Sequence, residues 1–164
     1  MASPRVLKHL ITTRWSVRAA FTGDAMRNIE QAIRETEATH EGQIRFVVEH
    51  ALDFAHLIAG VSARERAVDV FSQLRVWDTE HNNGVLLYLL LADRDVEIVA
   101  DRAIHNRVSG GWEPICRRME DRFRAGEFEL GVIEGIRTIG KHLQEHFPAD
   151  GRGPNELPDA PVVI

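Results

Sequence analysis

A three-layer α/β domain is the fold class this sequence predicts, on three observations. Residues 85–92, VLLYLLLA, are continuously apolar, the mark of a strand covered on both faces. Asp93-Arg94-Asp95 then supplies turn chemistry, and residues 95–100, DVEIVA, resume as an antiparallel partner strand. Upstream, a segment near 43–50 is joined to residue 84 through a helical pattern. That order is a βαβ unit, whose two strands run parallel with a right-handed crossover. A strand buried on both faces needs helices above and below it, hence three layers.

The remaining elements follow in chain order. Residues 5–20 read as one amphipathic helix with Leu7, Leu10, Ile11 and Trp15 on one side and basic residues elsewhere. Packing of that apolar side on the domain is the expectation; the sharper alternative is an anchor on an acidic membrane surface or a partner protein. Thr22 or Asp24 can cap a helix to about Thr39, with Met26, Ile29 and Ile33 inward. Gly42 ends it, and the alternation of 43–49 begins the first strand. Residues 51–61 are a helical turn or a loop. Ser62-Ala63-Arg64-Glu65 is a capping box that opens a helix through Leu74, burying Ala67, Val70 and Phe71. After Asp101 a helix begins between Ser109 and Pro114 and carries Ile115, Met119 and Phe123 inward. A last helix spans about 128–147, with Val132, Ile136, Ile139 and Leu143 on one face. Gly131, Gly135 and Gly140 each weaken that helix by about 1 kcal/mol relative to alanine. It therefore needs tertiary compensation, expected as close approach to the sheet. The four prolines after residue 147 make the tail extended or disordered. The chain thus divides into a basic arm (1–21), an α/β domain (22–147) and a Pro-rich tail (148–164).

Composition excludes several function classes. At 164 residues the chain is one domain. A net charge of −5 and a pI near 5.9 give no basic stripe for nucleic acid. The single cysteine, Cys116, leaves no internal disulfide and no cysteine-rich zinc site. The longest apolar run is the eight residues 85–92, far short of the roughly 20 needed to span a bilayer, and the N-terminus lacks a signal-peptide core. A soluble, cytoplasmic protein is the expectation, with peripheral membrane association through the arm as the variant.

The hairpin dictates where chemistry is sought. Parallel strands 43–50 and 84–92 begin at the edge where 95–100 ends, so that edge gathers His40 and Glu41, then Asp78, Glu80, His81, Asn82 and Asn83, with Asp101, Arg102 and His105. Oxygen-bearing side chains from two loops suit a hard cation, Ca²⁺ or Mg²⁺, with Asp78, Glu80, Asn82 and Asp101 as ligands. Arg102 beside them suits a phosphate. The competing reading is a solvated, hydrogen-bonded turn, since nothing here has the spacing of a calcium loop. The opposite edge, with Glu49, His50, Asp93 and Arg94, is the second choice; ligands in open α/β sheets favour it, but the tight hairpin closes much of it. His142-Leu143-Gln144-Glu145-His146 matches an inverted zinc-protease motif, yet it ends the final helix just before Pro148, with no further predicted element after it to supply a third ligand. Ser109 and Cys116 lack a nucleophile context, and no organic cofactor motif is present.

The helix followed by Gly42-Gln43-Ile44-Arg45-Phe46-Val47, the hairpin NNGVLLYLLLADRDVEIVAD, and the late FRAGEFELG before a final helix together resemble the TPM domain family, over about residues 24–147. Its name comes from thylakoid-lumen, photosystem II and acetylcholine-receptor-modulator members. The resemblance implies an α/β/α sandwich around a small mixed sheet of about four strands. It also implies a phosphatase-like label, with acid phosphatase activity and divalent metals attributed to some members. Others act as repair, assembly or receptor-modulating modules. Only Asn82, Asn83 and Gly84 carry over as motif positions. The chain departs from many bacterial members in lacking a signal sequence or membrane helix, and in its basic N-terminal extension. The expected function is therefore phosphatase-like with a divalent-metal site at the Asn82/Asp101 edge, or a non-catalytic module that binds a partner protein through the arm or the tail.

Overall fold

The protein is described here by a computed structural model covering residues 4–108, 110–151 and 153–164. In chain order the elements are α1 (Pro4–Ile11), α2 (Arg14–Ala20), α3 (Gly23–Glu37), β1 (Gln43–Glu49), α4 (Phe54–Ile58), α5 (Ala63–Gln73), β2 (Gly84–Leu90), β3 (Asp95–Ala100), α6 (Arg102–His105), α7 (Glu113–Arg124), α8 (Phe128–His146) and β4 (Val162–Val163). The sheet has four strands in the order β3-β2-β1-β4. β1 runs parallel to β2, with Gln43 opposite Gly84, and parallel to β4, with Val47 opposite Val162. β3 is antiparallel to β2, with Val85 opposite Ala100.

The apolar run of β2 feeds two cores, because successive side chains of a strand point to opposite faces. Val85, Leu87 and Leu89 join Ile44, Phe46, Val48 and Ile98 under Ile29 and Ile33 of α3, Met119 and Phe123 of α7, and Ile136 and Ile139 of α8. Leu86, Tyr88 and Leu90 join Val47 and Val99 under Ala67 and Val70 of α5. This is the three-layer arrangement the sequence predicts. Local signals hold too: the Thr22 hydroxyl accepts from the Ala25 N–H at 3.1 Å, and the Ser62–Glu65 capping box is formed.

Three expectations are corrected. The N-terminal helix is two helices broken at Thr12-Thr13, and its apolar side chains do not pack inward: Leu7, Leu10, Ile11 and Trp15 are all exposed. The glycines of α8 approach other helices rather than the sheet. A Cβ on Gly135 would overlap the Met119 sulfur of α7, and one on Gly140 would come within 2.8 Å of Thr36 of α3. The tail is extended but not free: Leu157 is buried, and β4 closes the sheet edge beyond β1. Its hydrophobic end and the backbone partners waiting along β1 outweigh its prolines. The helix expected to begin between Ser109 and Pro114 is α7, starting at Glu113, and a short α6 that the sequence did not announce precedes it; Ser109 lies outside the described residues.

Candidate functional site at the start of the parallel strands

The hairpin brings Asn82 and Asp101 together. The Asp101 N–H donates to the Gly84 carbonyl at 2.9 Å, and the Ala103 N–H donates to the Asn82 carbonyl at 3.3 Å. Each residue of the Asn82-Asn83-Gly84 motif has a separate task. Asn82 has φ of 51°, a left-handed turn conformation that asparagine tolerates. The Asn83 N–H donates to the Thr79 hydroxyl at 3.1 Å, and its side-chain amide donates to the Glu41 carbonyl at 2.6 Å. Asn83 thereby ties the loop before β2 to the loop before β1. Gly84 lies against the Val76 carbonyl with no room for a side chain. Asp101 caps α6, one carboxylate oxygen accepting from the Arg102 N–H at 2.7 Å. After this accounting, two acceptors stay buried with no donor among the described residues: Asn83 Oδ1 and Asp101 Oδ2. Asn83 and Asp101 are 2% and 9% exposed, so those oxygens are desolvated as well as unpaired.

Beside this corner lies a cavity of about 540 Å³, lined by Glu37, His40, Gln43, Glu80, Asn83 and Asp159 among others. The tail supplies one wall. Gln43 Oε1 accepts from the Glu156 and Leu157 N–H groups at 2.8 and 3.1 Å, and Arg45 donates to the Pro158 and Ala160 carbonyls. No serine, threonine, cysteine or tyrosine lines the cavity among the described residues. Burial pushes the Glu37 carboxyl up to about 8, aided by the Asp159 carboxylate beside it and opposed by the Ile44 N–H that donates to it. Burial pushes the His40 imidazole down to about 4, and neither ring nitrogen has a hydrogen-bond partner among the described residues.

These shifts set a pH dependence. Glu37 is protonated in the folded protein and ionised when unfolded, so its contribution is full below about pH 4.5 and is lost as pH rises to about 8. His40 works in the other direction, contributing fully above about 6.5 and losing that contribution as pH falls to about 4. Asp95, pushed up to about 6 by burial, has a window that closes before neutrality. Between pH 6.5 and 8, Glu37 sets the slope. Unfolding free energies obtained from urea titrations should fall across that interval by up to about 1.4 kcal/mol per pH unit in the wild type. They should stay level in Glu37→Gln, which can still accept from Ile44 while donating to Asp159.

The sequence-predicted ligands are only partly gathered. Asp78 is exposed and paired with Arg75 at 3.2 Å, and Glu80 is exposed, its N–H donating to Glu156. Among the described residues no group of three or more His, Cys, Asp or Glu is placed to hold a metal. The Arg102 side chain is exposed. The second-choice edge is committed to structure. Glu49 receives a bidentate pair from Arg66 and the Tyr88 hydroxyl at 2.6 Å. His50 Nδ1 lies 3.0 Å from the Ile164 carbonyl, and Asp93 faces Arg5 and His9. Arg94 sits over the Phe128 ring. His142 meets Trp112 edge-on, and the Cys116 thiol is buried and pushed up to about 12, a packing role. Sequence reasoning passed over Glu37, Gln43, Glu156 and Asp159. A lone acid at a helix end or in a tail reads as solvated, and only the tail's return onto β1 puts them around one cavity.

Comparison with known proteins bears on the whole chain. No curated protein matches it. Among solved structures, the BA42 protein of the psychrophilic bacterium Bizionia argentinensis is similar with a TM-score of 0.77 and 29% identity, over 88% of this chain and 95% of that one. The N-terminal domain of a protein from P. gingivalis shares the fold, with a TM-score of 0.62 and 21% identity over 78% and 81% of the two chains. A family model for the TPM domain matches residues 18–142, from α2 into the last turns of α8, and the chain belongs to that family.

Proposed function

We propose that this TPM-domain protein binds an oxygen-preferring divalent cation, Ca²⁺ or Mg²⁺, at the Asn83/Asp101 corner, and that the bound ion supports a slow phosphatase-like activity. The observation that carries the reading is the pair of buried acceptor oxygens, Asn83 Oδ1 and Asp101 Oδ2, on the two loops the hairpin joins. A desolvated carboxylate oxygen with no donor is costly, and a cation is the partner that removes the penalty. With Asp101 as the one buried carboxylate at that corner among the described residues, the remaining ligands are amide or backbone oxygens and water, which suits Mg²⁺ or a weakly held Ca²⁺. When bound, the ion supplies polarisation of a phosphoryl oxygen. The exposed Arg102 guanidinium is one residue from Asp101 and can take a phosphate as a fork. With no hydroxyl or thiol side chain of Ser, Thr, Tyr or Cys lining the adjoining cavity among the described residues, water is the nucleophile in this reading.

Calorimetric titration with Ca²⁺, Mg²⁺ and Mn²⁺, together with phosphomonoester turnover, tests this. Binding should weaken at least about tenfold in Asp101→Asn, which loses the charge but keeps the cap on α6. Unchanged affinity in that variant, or no heat with any of the three ions in the wild type, defeats the reading. A second reading, a non-catalytic interaction module, is favoured by the exposed apolar side chains of the N-terminal arm.

A further inference from the structure

We propose that α1, α2 and α4 form a basic, apolar platform that seats the protein on an anionic lipid bilayer. The polarity of the arm is inverted relative to a helix that packs on a core. Its inward side is polar: Arg5 donates to Asp93 and to the Val61 carbonyl, both at 3.0 Å, and His9, 4% exposed, accepts from the Leu52 N–H while facing Asp93 at 3.1 Å. These contacts hold α1 against the strand-end edge of the sheet with its apolar stripe outward. Leu7, Leu10 and Ile11 are 56%, 63% and 68% exposed at i, i+3 and i+4 spacing, one face of a helix. Trp15 of α2 is 73% exposed, with the Arg18 guanidinium 4.8 Å from its ring. On α4, which follows the anchored Leu52, Phe54 and Ile58 present a second i, i+4 pair at 65% and 71%. These six are the majority of the ten large apolar side chains exposed among the described residues. Scattered exposure is ordinary; concentration on three helices is not.

Charge selects the occupant. Residues 1–23 hold four of the chain's 20 Lys and Arg and none of its 25 Asp and Glu. A second copy meeting the arm stripe to stripe would set these charges against their own kind, and its acidic body exposes only four other large apolar side chains among the described residues. An anionic bilayer answers both, attracting Lys8, Arg14 and Arg18 at the headgroups and taking the apolar stripes and the indole into the interface. Membrane spanning is a separate matter: no helix among the described residues is long and apolar enough for it.

Sedimentation of the full chain with vesicles of phosphatidylglycerol and phosphatidylcholine, against phosphatidylcholine alone, tests the platform. Binding is expected only to the anionic vesicles and should weaken at least about tenfold in Leu10→Ser/Ile11→Ser and again in Arg14→Glu/Arg18→Glu. Both variants change exposed side chains, so their urea midpoints should match the wild type. A blue shift of tryptophan emission on adding vesicles should be absent in Trp15→Phe, which keeps most of the affinity. No sedimentation, equal binding to neutral vesicles, or binding untouched by the serine pair overturns the proposal. So does a dimer dissolved by the serine pair in a protein that ignores vesicles, which would assign the stripes to self-association. Vesicle binding is read without added metal, so its outcome is independent of the cation site.

Discussion

Arg66→Ala will lower the unfolding free energy by about 3–5 kcal/mol, measured as a shift of the urea midpoint at unchanged slope. Glu49 is 7% exposed at the end of β1, and the Arg66 side chain of α5 is 13% exposed. The guanidinium meets Glu49 as a fork, Nε to Oε2 at 2.9 Å and Nη2 to Oε1 at 3.0 Å, while the Tyr88 hydroxyl donates to Oε2 at 2.6 Å. Removing Arg66 strands a carboxylate in the α5–sheet layer with only the Tyr88 hydroxyl donating to it, and water cannot replace the lost charge-assisted fork there. The companion variant separates the pair's net worth from the penalty of breaking it. Glu49→Gln with Arg66→Met, which buries no charge, should lose far less than Arg66→Ala alone. If the two variants unfold at the same midpoint, the buried carboxylate is not what Arg66 serves. The same geometry commits Glu49, the deep carboxylate at this edge, to Arg66 and Tyr88.

Gly84→Ala should destabilise the domain by at least about 3 kcal/mol and disturb the hairpin, with loss of amide exchange protection in β2 and β3 as the readout. A Cβ at residue 84 would overlap the carbonyl oxygen of Val76 and lie 3.0 Å from its carbonyl carbon. Val76 is fully buried, and its backbone is not the far end of a side chain that can swing aside. Relief requires moving the 76–83 loop, which carries Thr79 and Asn83 and their bonds to the edge. The variant should therefore also weaken cation binding at the Asn83/Asp101 corner. Retention of wild-type protection would show that the loop moves freely and that Gly84 is not a packing constraint.

Much of the fold was legible because its signals are local. Strand β1 falls at 43–49 by alternation, β2 and β3 by an apolar run and a turn, and α3 and α5 by their hydroxyl caps. Part of the site was legible for the same reason: once two strands form a hairpin, Asn82 and Asp101 must meet. Glu37, Gln43 and Asp159 were not legible. They come together only because a Pro-rich tail folds back to pair with β1, a contact more than a hundred positions long that no periodicity announces. The arm shows the converse. Its apolar stripe was read correctly, but its direction was not, since Asp93 and the Leu52 N–H pull Arg5 and His9 inward.

The sequence by itself determined the layers, the hairpin and the family, through hydrophobic period, caps and turn residues that act within a few positions of one another. Tertiary structure decided which acids are buried, which charges are paired, and which apolar face meets solvent. Desolvation and pairing depend on neighbours brought from far along the chain, and a carboxylate such as Glu37 or Glu49 has no chemistry of its own until those neighbours arrive.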